Sequence, residues 1–408
     1  MKCRNCSSLL TTLFADLGSS PPSNSYIKKE QLNDPEATYP LKLFVCNNCL
    51  LVQIEEIKKA EEIFCDEYAY FSSYSDMWLN HCRTYTEMVT EKYGINNHSF
   101  VIEVASNDGY MLQYFLEKNI PVLGIEPTSG TAQAAIEKGT PTRIDFFSTQ
   151  LASTLKAEGI TADLIIGNNV LAHIPDVHDF VNGLRILLKD NGVITLEFPH
   201  LLKLIEYSEF DTIYHEHFSY FSLFSVSDIM DRQNLAIFNV EELPTHGGSL
   251  RLYVKHKSDH SKQITKNVKI ILDKEYRAGL LDIKGYLGFQ EKMEQIKAKL
   301  LSFLFSCKEQ GKSVAAYGAA AKGNTLLNYC GITTDLIKFV VDRSPHKQNK
   351  YLPGSRIPIH DESAIVRFKP DFILILPWNI KEEIMQQLDY IRKWEGQFVI
   401  AIPNLTIY

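Results

Sequence analysis

The sequence is short of positive charge. Its 42 Lys and Arg face 49 Asp and Glu, a formal charge of −7, which leaves no electrostatic case for binding nucleic acid. Long apolar runs are also missing, and none approaches the roughly 20 residues of a membrane span. The opening MKCRNCSSLL has no signal-peptide layout, so the expectation is a cytoplasmic protein. Internal repeats and low-complexity tracts are absent. No GxGxxG follows a strand, which leaves nicotinamide and flavin readings poorly supported. GAAAKGNT, although it resembles a phosphate-cradling turn, lacks the Gly-Lys-Ser/Thr order of a P-loop.

What is present is a globular composition, 45% hydrophobic and 22% charged, over 408 residues, too many for one core. Of eight cysteines, four form two knuckles: Cys3 and Cys6, then Cys46 and Cys49. Two CxxC turns can place four thiolates tetrahedrally around zinc, and with no open position that zinc is structural. The segment between them carries GSSPPSNSY, turn formers able to loop out. Cys65, Cys82, Cys307 and Cys330 read as core thiols.

An aromatic stretch, DEYAYFSSYSDMWLNH (66–81), leads into a helix. From residue 99 strands and helices alternate. SFVIEVASNDG, PVLGIEP, ADLIIGNNVL and VITLEFP read as strands, with a helix over 178–190 closing at DNG. Such alternation predicts an open, mostly parallel sheet covered by helices. A charged helical segment over 256–311 reads as a bridge, after which SVAAYG, LIKFVVD and DFILILPWN restart the alternation. The expected division is a zinc-binding module over 1–65, a cofactor domain over 66–255, a helical bridge over 256–299 and a second α/β domain over 300–408.

Ligands of open α/β sheets bind beyond the carboxyl ends of the strands. There the first strand carries Glu103, Ser106, Asn107, Asp108 and Gly109, the second ends at Glu126, and the third at Asn168 and Asn169. An acid closing the second strand can accept hydrogen bonds from both ribose hydroxyls. This set resembles the S-adenosylmethionine site of class I methyltransferases. The plainer reading of Glu126 as a helix-capping acid is weaker once all three strand ends agree.

Residues 211–222, DTIYHEHFSYFS, crowd Tyr214, His215, Glu216 and His217 after the fourth strand. HGGSLR (246–251) adds His246 and Arg251. Taken in order, the two CxxC pairs, YAYFSSYS, EVASNDGYML, NNVLAHIPD, DTIYHEHFSYFS, LPTHGGSLR, AAYGAAAKGNTLLNY, FVVDRSPHKQ and LPWNIKEEI resemble the sugar C-methyltransferases that act on nucleotide-linked 4-keto-deoxysugars. The resemblance covers essentially the whole chain. Two departures are Asn349, where the family often has glycine, and Pro377, where a small residue is usual.

The resemblance implies a class I methyltransferase domain between a zinc module and a second Rossmann-like domain that helps hold the nucleotide sugar. It implies S-adenosylmethionine as methyl donor and, as substrate, a 4-keto-6-deoxy nucleotide sugar methylated at C3 in preference to C5. The carbon beside the ketone loses a proton, and the enolate takes the methyl group. His217 is then the base, Glu216 orients a neighbouring ring, and Tyr214 donates to the enolate oxygen. His173 assists that oxygen, and Tyr68 or Tyr70 reaches in from the aromatic stretch. His246 and Arg251 are candidate substrate contacts, and Lys322 and Asn324 candidate phosphate contacts, against the reading of GAAAKGNT as a structural turn with a solvated lysine. The resemblance permits a monomer. Spacing alone does not choose His217 over His215. His178, His200 and His260 read as surface or helix residues. An epimerase sharing the enolisation, a zinc-ribbon RNA binder and a non-catalytic sugar-nucleotide-binding protein are the competing readings.

Overall fold

The computed structural model describes residues 1–59, 62 and 71–408, so Cys65, Tyr68 and Tyr70 lie outside the described residues. Three strands open the chain: β1 (Thr12–Ser20), β2 (Tyr39–Val45) and β3 (Val52–Ile54), paired antiparallel. The knuckles sit at one end of the β1–β2 ladder, where Thr12 opposes Val45. The loop over 21–38 leaves the other, where Ser20 opposes Tyr39.

The second sheet holds β4 (Val101–Val104), β5 (Val122–Ile125), β6 (Thr142–Arg143), β7 (Ala162–Asn168) and β8 (Leu188–Pro199) in parallel. Buried on both faces, β4 and β7 read as near-continuous apolar runs. The expected turn at DNG is instead the start of β8, because the preceding helix ends at Leu187. After β8 the chain gives β9 (Ser219–Tyr220) back to the first sheet, pairing with β3. It then returns as β10 (Leu235–Leu243) and β11 (Ser249–His256). The order is β10-β11-β8-β7-β4-β5-β6, with β11 antiparallel to both neighbours. Strand order reverses at β4, so the crevice beyond β4 and β7 is the switch point of the sheet.

Helices Lys266–Arg277 and Phe289–Glu309 follow. The second runs through residue 300, so the chain has no break where the bridge was expected to end. The third sheet comprises β12 (Val314–Tyr317), β13 (Val340–Val341), β14 (Ile359–His360), β15 (Phe372–Ile375), β16 (Gln397–Ile400) and β17 (Thr406–Ile407). Its order is β14-β13-β12-β15-β16-β17, parallel except for β17. LIKFVVD contributes only its Val-Val pair as strand. Among the described residues no helix is long and apolar enough to cross a membrane.

Asn349 has φ 63°, the left-handed region where the family's glycine would be unstrained and asparagine is tolerated. Pro377 packs against Gly318, where an added Cβ would lie 2.5 Å from its ring.

Candidate active site

The four knuckle sulfurs lie within 4.8 Å of one another, with Cys3 Sγ 3.5 Å from Cys49 Sγ and Cys6 Sγ 3.4 Å from Cys46 Sγ. Zinc–sulfur bonds of about 2.3 Å need sulfurs about 3.8 Å apart, so the donor set fits a tetrahedral zinc ion. Each knuckle closes on its first carbonyl, Ser7 N donating to Cys3 O and Leu50 N to Cys46 O. Arg4, inside the first knuckle, donates to Phe218 O at 2.5 Å, to Ile54 O at 3.0 Å and to Pro175 O at 3.2 Å. The module therefore grips the residue after His217 directly.

At the end of β4 the backbone is strained: Ala105 and Asn107 have φ 58° and 48°. Gly109, at φ 78°, lets the turn pass Thr140, whose Oγ1 an added Cβ would meet at 2.8 Å. Glu103 is fully buried, and burial pushes its carboxyl well above the usual carboxylate range. Glu126 accepts from Asn107 N at 2.9 Å and Thr128 N at 3.0 Å, so it caps as well as closing its strand. Burial raises its carboxyl against those bonds. Asp108 is paired with Lys138 at 3.0 Å and hydrogen-bonded to Ser73, while Ser72 N donates to Asn107 Oδ1 at 2.9 Å. Both amide atoms of Asn168, Ser106 Oγ and Asp108 Oδ1 are buried without a partner. Buried polar atoms of this kind call for one, and a crevice so lined suits an amino-acid and ribose-bearing cofactor.

Within YHEH the two histidines part. His215 Nε2 lies 3.2 Å from Tyr39 O, on the first sheet. His217 joins His173, with ring centroids 4.7 Å apart. Nδ1 of His217 faces Thr212 O at 3.1 Å, so that nitrogen carries the proton and donates. Its Nε2 then holds the lone pair, toward which Tyr214 OH donates at 2.9 Å. Burial, reinforced by His173, drops the imidazole well below its ordinary range. A gap lined by Ala172, Phe198, Thr212, His217 and Tyr220 adjoins it.

His173 Nδ1 donates to Glu216 O at 2.8 Å, and burial lowers its pKa to about 4. Its Nε2 is therefore a lone pair in the neutral ring. His246 adopts φ 55°, with Nε2 3.2 Å from Asn169 Nδ2 and a ring 5.6 Å from Trp78. Burial, with Lys322 nearby, brings it to about 4.

Three expected substrate contacts have other partners. Arg251 stands in register between Glu197 and Glu241, 2.8 Å from the first and 3.6 Å from the second, and is only 4% exposed. It holds the sheet together. Asn324 donates through Nδ2 to Ser23 O at 2.6 Å. Lys322 donates to Asn379 at 2.8 Å, lies over Trp378 at 4.7 Å, and is attracted by buried Asp211 and Glu209. Burial, then the charge of Asp211, raises Glu209 to about 8, and burial raises Asp211 to about 6. Two acids beside Lys322 make a poor seat for a diphosphate. His200 is buried, 2.7 Å from Glu275, and not a surface residue.

Sequence reasoning missed Glu197 and His81, 3.0 Å apart, and the acid pair. Glu197 lies near the carboxyl end of β8, as Glu126 lies just past that of β5, a signal that was available. Burial alone would raise Glu197, but His81 and Arg251 outweigh it and hold it below the usual range.

Family profiles match a methyltransferase domain over residues 81–240, a zinc binding domain over 3–64 and a C-methyltransferase C-terminal domain over 244–403. The sheet order and these matches define an S-adenosylmethionine-dependent methyltransferase. The C-methyltransferase NovU of Streptomyces niveus is 31% identical over 404 residues, 99% of this chain and 96% of that protein. The chain belongs to the C-methyltransferase family. Among solved structures, magnesium protoporphyrin IX methyltransferase of Synechocystis PCC 6803 with bound SAM is 15% identical. Its TM-score is 0.34, over 44% of this chain and 81% of that one. An S-adenosylmethionine-dependent methyltransferase of Anabaena variabilis is 16% identical, TM-score 0.36, over 50% and 99%.

Proposed function

We propose that the enzyme methylates C3 of a nucleotide-linked 4-keto-6-deoxysugar, in branched deoxysugar biosynthesis. The observation that carries this reading is the Tyr214–His217 pair: a phenol donor 2.9 Å from an imidazole nitrogen whose lone pair is fixed by the opposite nitrogen's bond to Thr212 O. Enolisation needs a base and a donor side by side. His217 Nε2 takes the proton from the carbon beside the ketone. As charge moves onto the carbonyl oxygen, the Tyr214 hydroxyl turns its hydrogen bond toward it. Burial keeps His217 neutral, hence able to accept, and the resulting imidazolium faces the enolate it has created.

S-adenosylmethionine, when bound, supplies the electrophilic methyl group. Asn107, Asp108, Gly109 and Ser106 beyond β4, Glu126 beyond β5, and Asn168 with Asn169 beyond β7 would hold it, with Glu103 beneath. The unpartnered buried atoms of Ser106, Asp108, Asn168 and Asn169 support that assignment. Four clustered thiols support structural zinc in the first module. Tyr68 or Tyr70 stays a candidate for the catalytic site. A cytoplasmic location is part of the same proposal, and the resemblance permits a monomer.

The test incubates the protein with S-adenosylmethionine and a panel of 4-keto-6-deoxy nucleotide sugars, and reads product mass. Gain of one methyl group, lost in His217→Asn, supports the proposal. Exchange of the carbon-bound proton without methyl gain favours an epimerase.

A further inference from the structure

The loop between β1 and β2 leaves the cysteine module and crosses to the third sheet's domain. Its shoulders are anchored there. Asn324 Nδ2 donates to Ser23 O at 2.6 Å, Tyr26 OH donates to Ala319 O at 2.5 Å, and Ile27 exchanges backbone bonds of 2.9 and 2.8 Å with Tyr351. Farther along, Arg356 donates to Leu32 O at 2.6 Å. Between those anchors Asn24 points the other way, and its Nδ2 donates to Glu216 Oε1 at 2.7 Å. Glu216 is 3% exposed, and its carbonyl accepts a hydrogen bond from His173 Nδ1.

We propose that Asn24 is a positioning residue: the loop of the cysteine module fixes the Glu216 carboxylate, and through that peptide the rings of His173 and His217. This rests on the functional reading above. Two parts of the chain that are far apart in sequence meet at this one hydrogen bond. A carboxylate buried this deeply needs donors to stay put. Thr325 Oγ1 donates to Ile213 O at 2.9 Å, so the helix that anchors the loop also holds the start of the YHEH turn. Asn24 touches no reacting atom in this account. It sets the angle at which His217 presents Nε2.

Two variants separate positioning from mere folding. Asn24→Ala deletes the donor; Asn24→Asp keeps the shape and opposes two carboxylates. A tenfold fall in kcat corresponds to about 1.4 kcal/mol of lost transition-state stabilisation, no more than one hydrogen bond to a charged group can supply. We expect at least that for Asn24→Ala and more for Asn24→Asp, with KM for the sugar nucleotide unchanged. Both variants melt lower because a buried carboxylate loses its donor, but the kcat deficit persists in assays run well below the melting point. Hydrogen exchange over residues 211–218, measured without substrate, should quicken in both. If Asn24→Asp matches an active wild type in kcat, or exchange over 211–218 does not change, the positioning role is wrong. Should wild type itself transfer no methyl group to the panel, the substrate reading fails, and exchange alone decides whether Asn24 pins the turn.

Discussion

Arg251 Nη2 lies 2.8 Å from Glu197 Oε2 across the β8–β11 register, and neither side chain is more than 5% exposed. His81 Nε2 approaches the same oxygen at 3.0 Å and Thr245 donates to the other at 2.9 Å. The carboxylate is thus satisfied only while all its partners remain. Arg251→Met should destabilise the protein by about 3–5 kcal/mol, the usual consequence of stranding a buried charge. Chemical denaturation measures it, and Arg251→Met with Glu197→Leu together should recover most of the loss.

Zinc removal should reach the active site. Arg4 sits within the first knuckle and grips Phe218 O, and the β1–β2 arm, on the order of 25 Å long, carries Asn24 to Glu216. A chelator strong enough to empty the four thiols should abolish turnover while the helical content of the remaining chain persists. Metal analysis should find one zinc per chain, and none in Cys46→Ser. Full activity in metal-free protein would show that the arm holds without it.

Gly109→Ala places a methyl group 2.8 Å from Thr140 Oγ1 at a φ of 78°. Left-handed backbone costs a non-glycine residue about 1–2 kcal/mol. Calorimetry with S-adenosylhomocysteine should show weakened binding, accompanied by a lower melting temperature. Unchanged affinity would move the cofactor away from this turn.

Much of this was legible from sequence because it is local. The CxxC knuckles, the apolar strands and the polar residues at their ends are short-range patterns, and the structure gathers them into a thiol cluster and a switch-point crevice. What was not legible depends on partners from elsewhere. LPTHGGSLR offers Arg251 as a cation, but register with β8 and β10 spends it on Glu197 and Glu241. GAAAKGNT suggests a phosphate turn, yet Asn324 meets Ser23 and Lys322 meets buried acids. His215 and His217 look alike in sequence. Only the turn after Tyr214 sends one to Tyr39 and the other to His173.

Stability at acid pH carries a sign that can be checked. His246 is held at about 4, below the unfolded value of about 6.5. Between those limits the unfolded chain binds a proton that the native protein refuses. The stability is therefore whole above about 6.5 and is lost as pH falls toward 4, by about 1 kcal/mol near pH 5.5. Glu209 and Asp211, raised to about 8 and 6, act with the opposite sign: their contribution is lost as pH rises through those values. Comparing His246→Asn with wild type cancels the acids. The variant's relative melting temperature should climb as pH drops from 7 to 4.5, and a flat difference would refute the assignment.

The central claim is that His217 Nε2 removes the proton from the carbon beside the ketone. Deuterium wash-in at that carbon, followed by mass spectrometry in deuterated water with S-adenosylhomocysteine in place of the methyl donor, isolates that step. Wild type should incorporate deuterium, His217→Asn should not, and Tyr214→Phe should do so slowly. Undiminished exchange in His217→Asn, with loss in His173→Asn, would assign the proton transfer to the other imidazole and contradict the account.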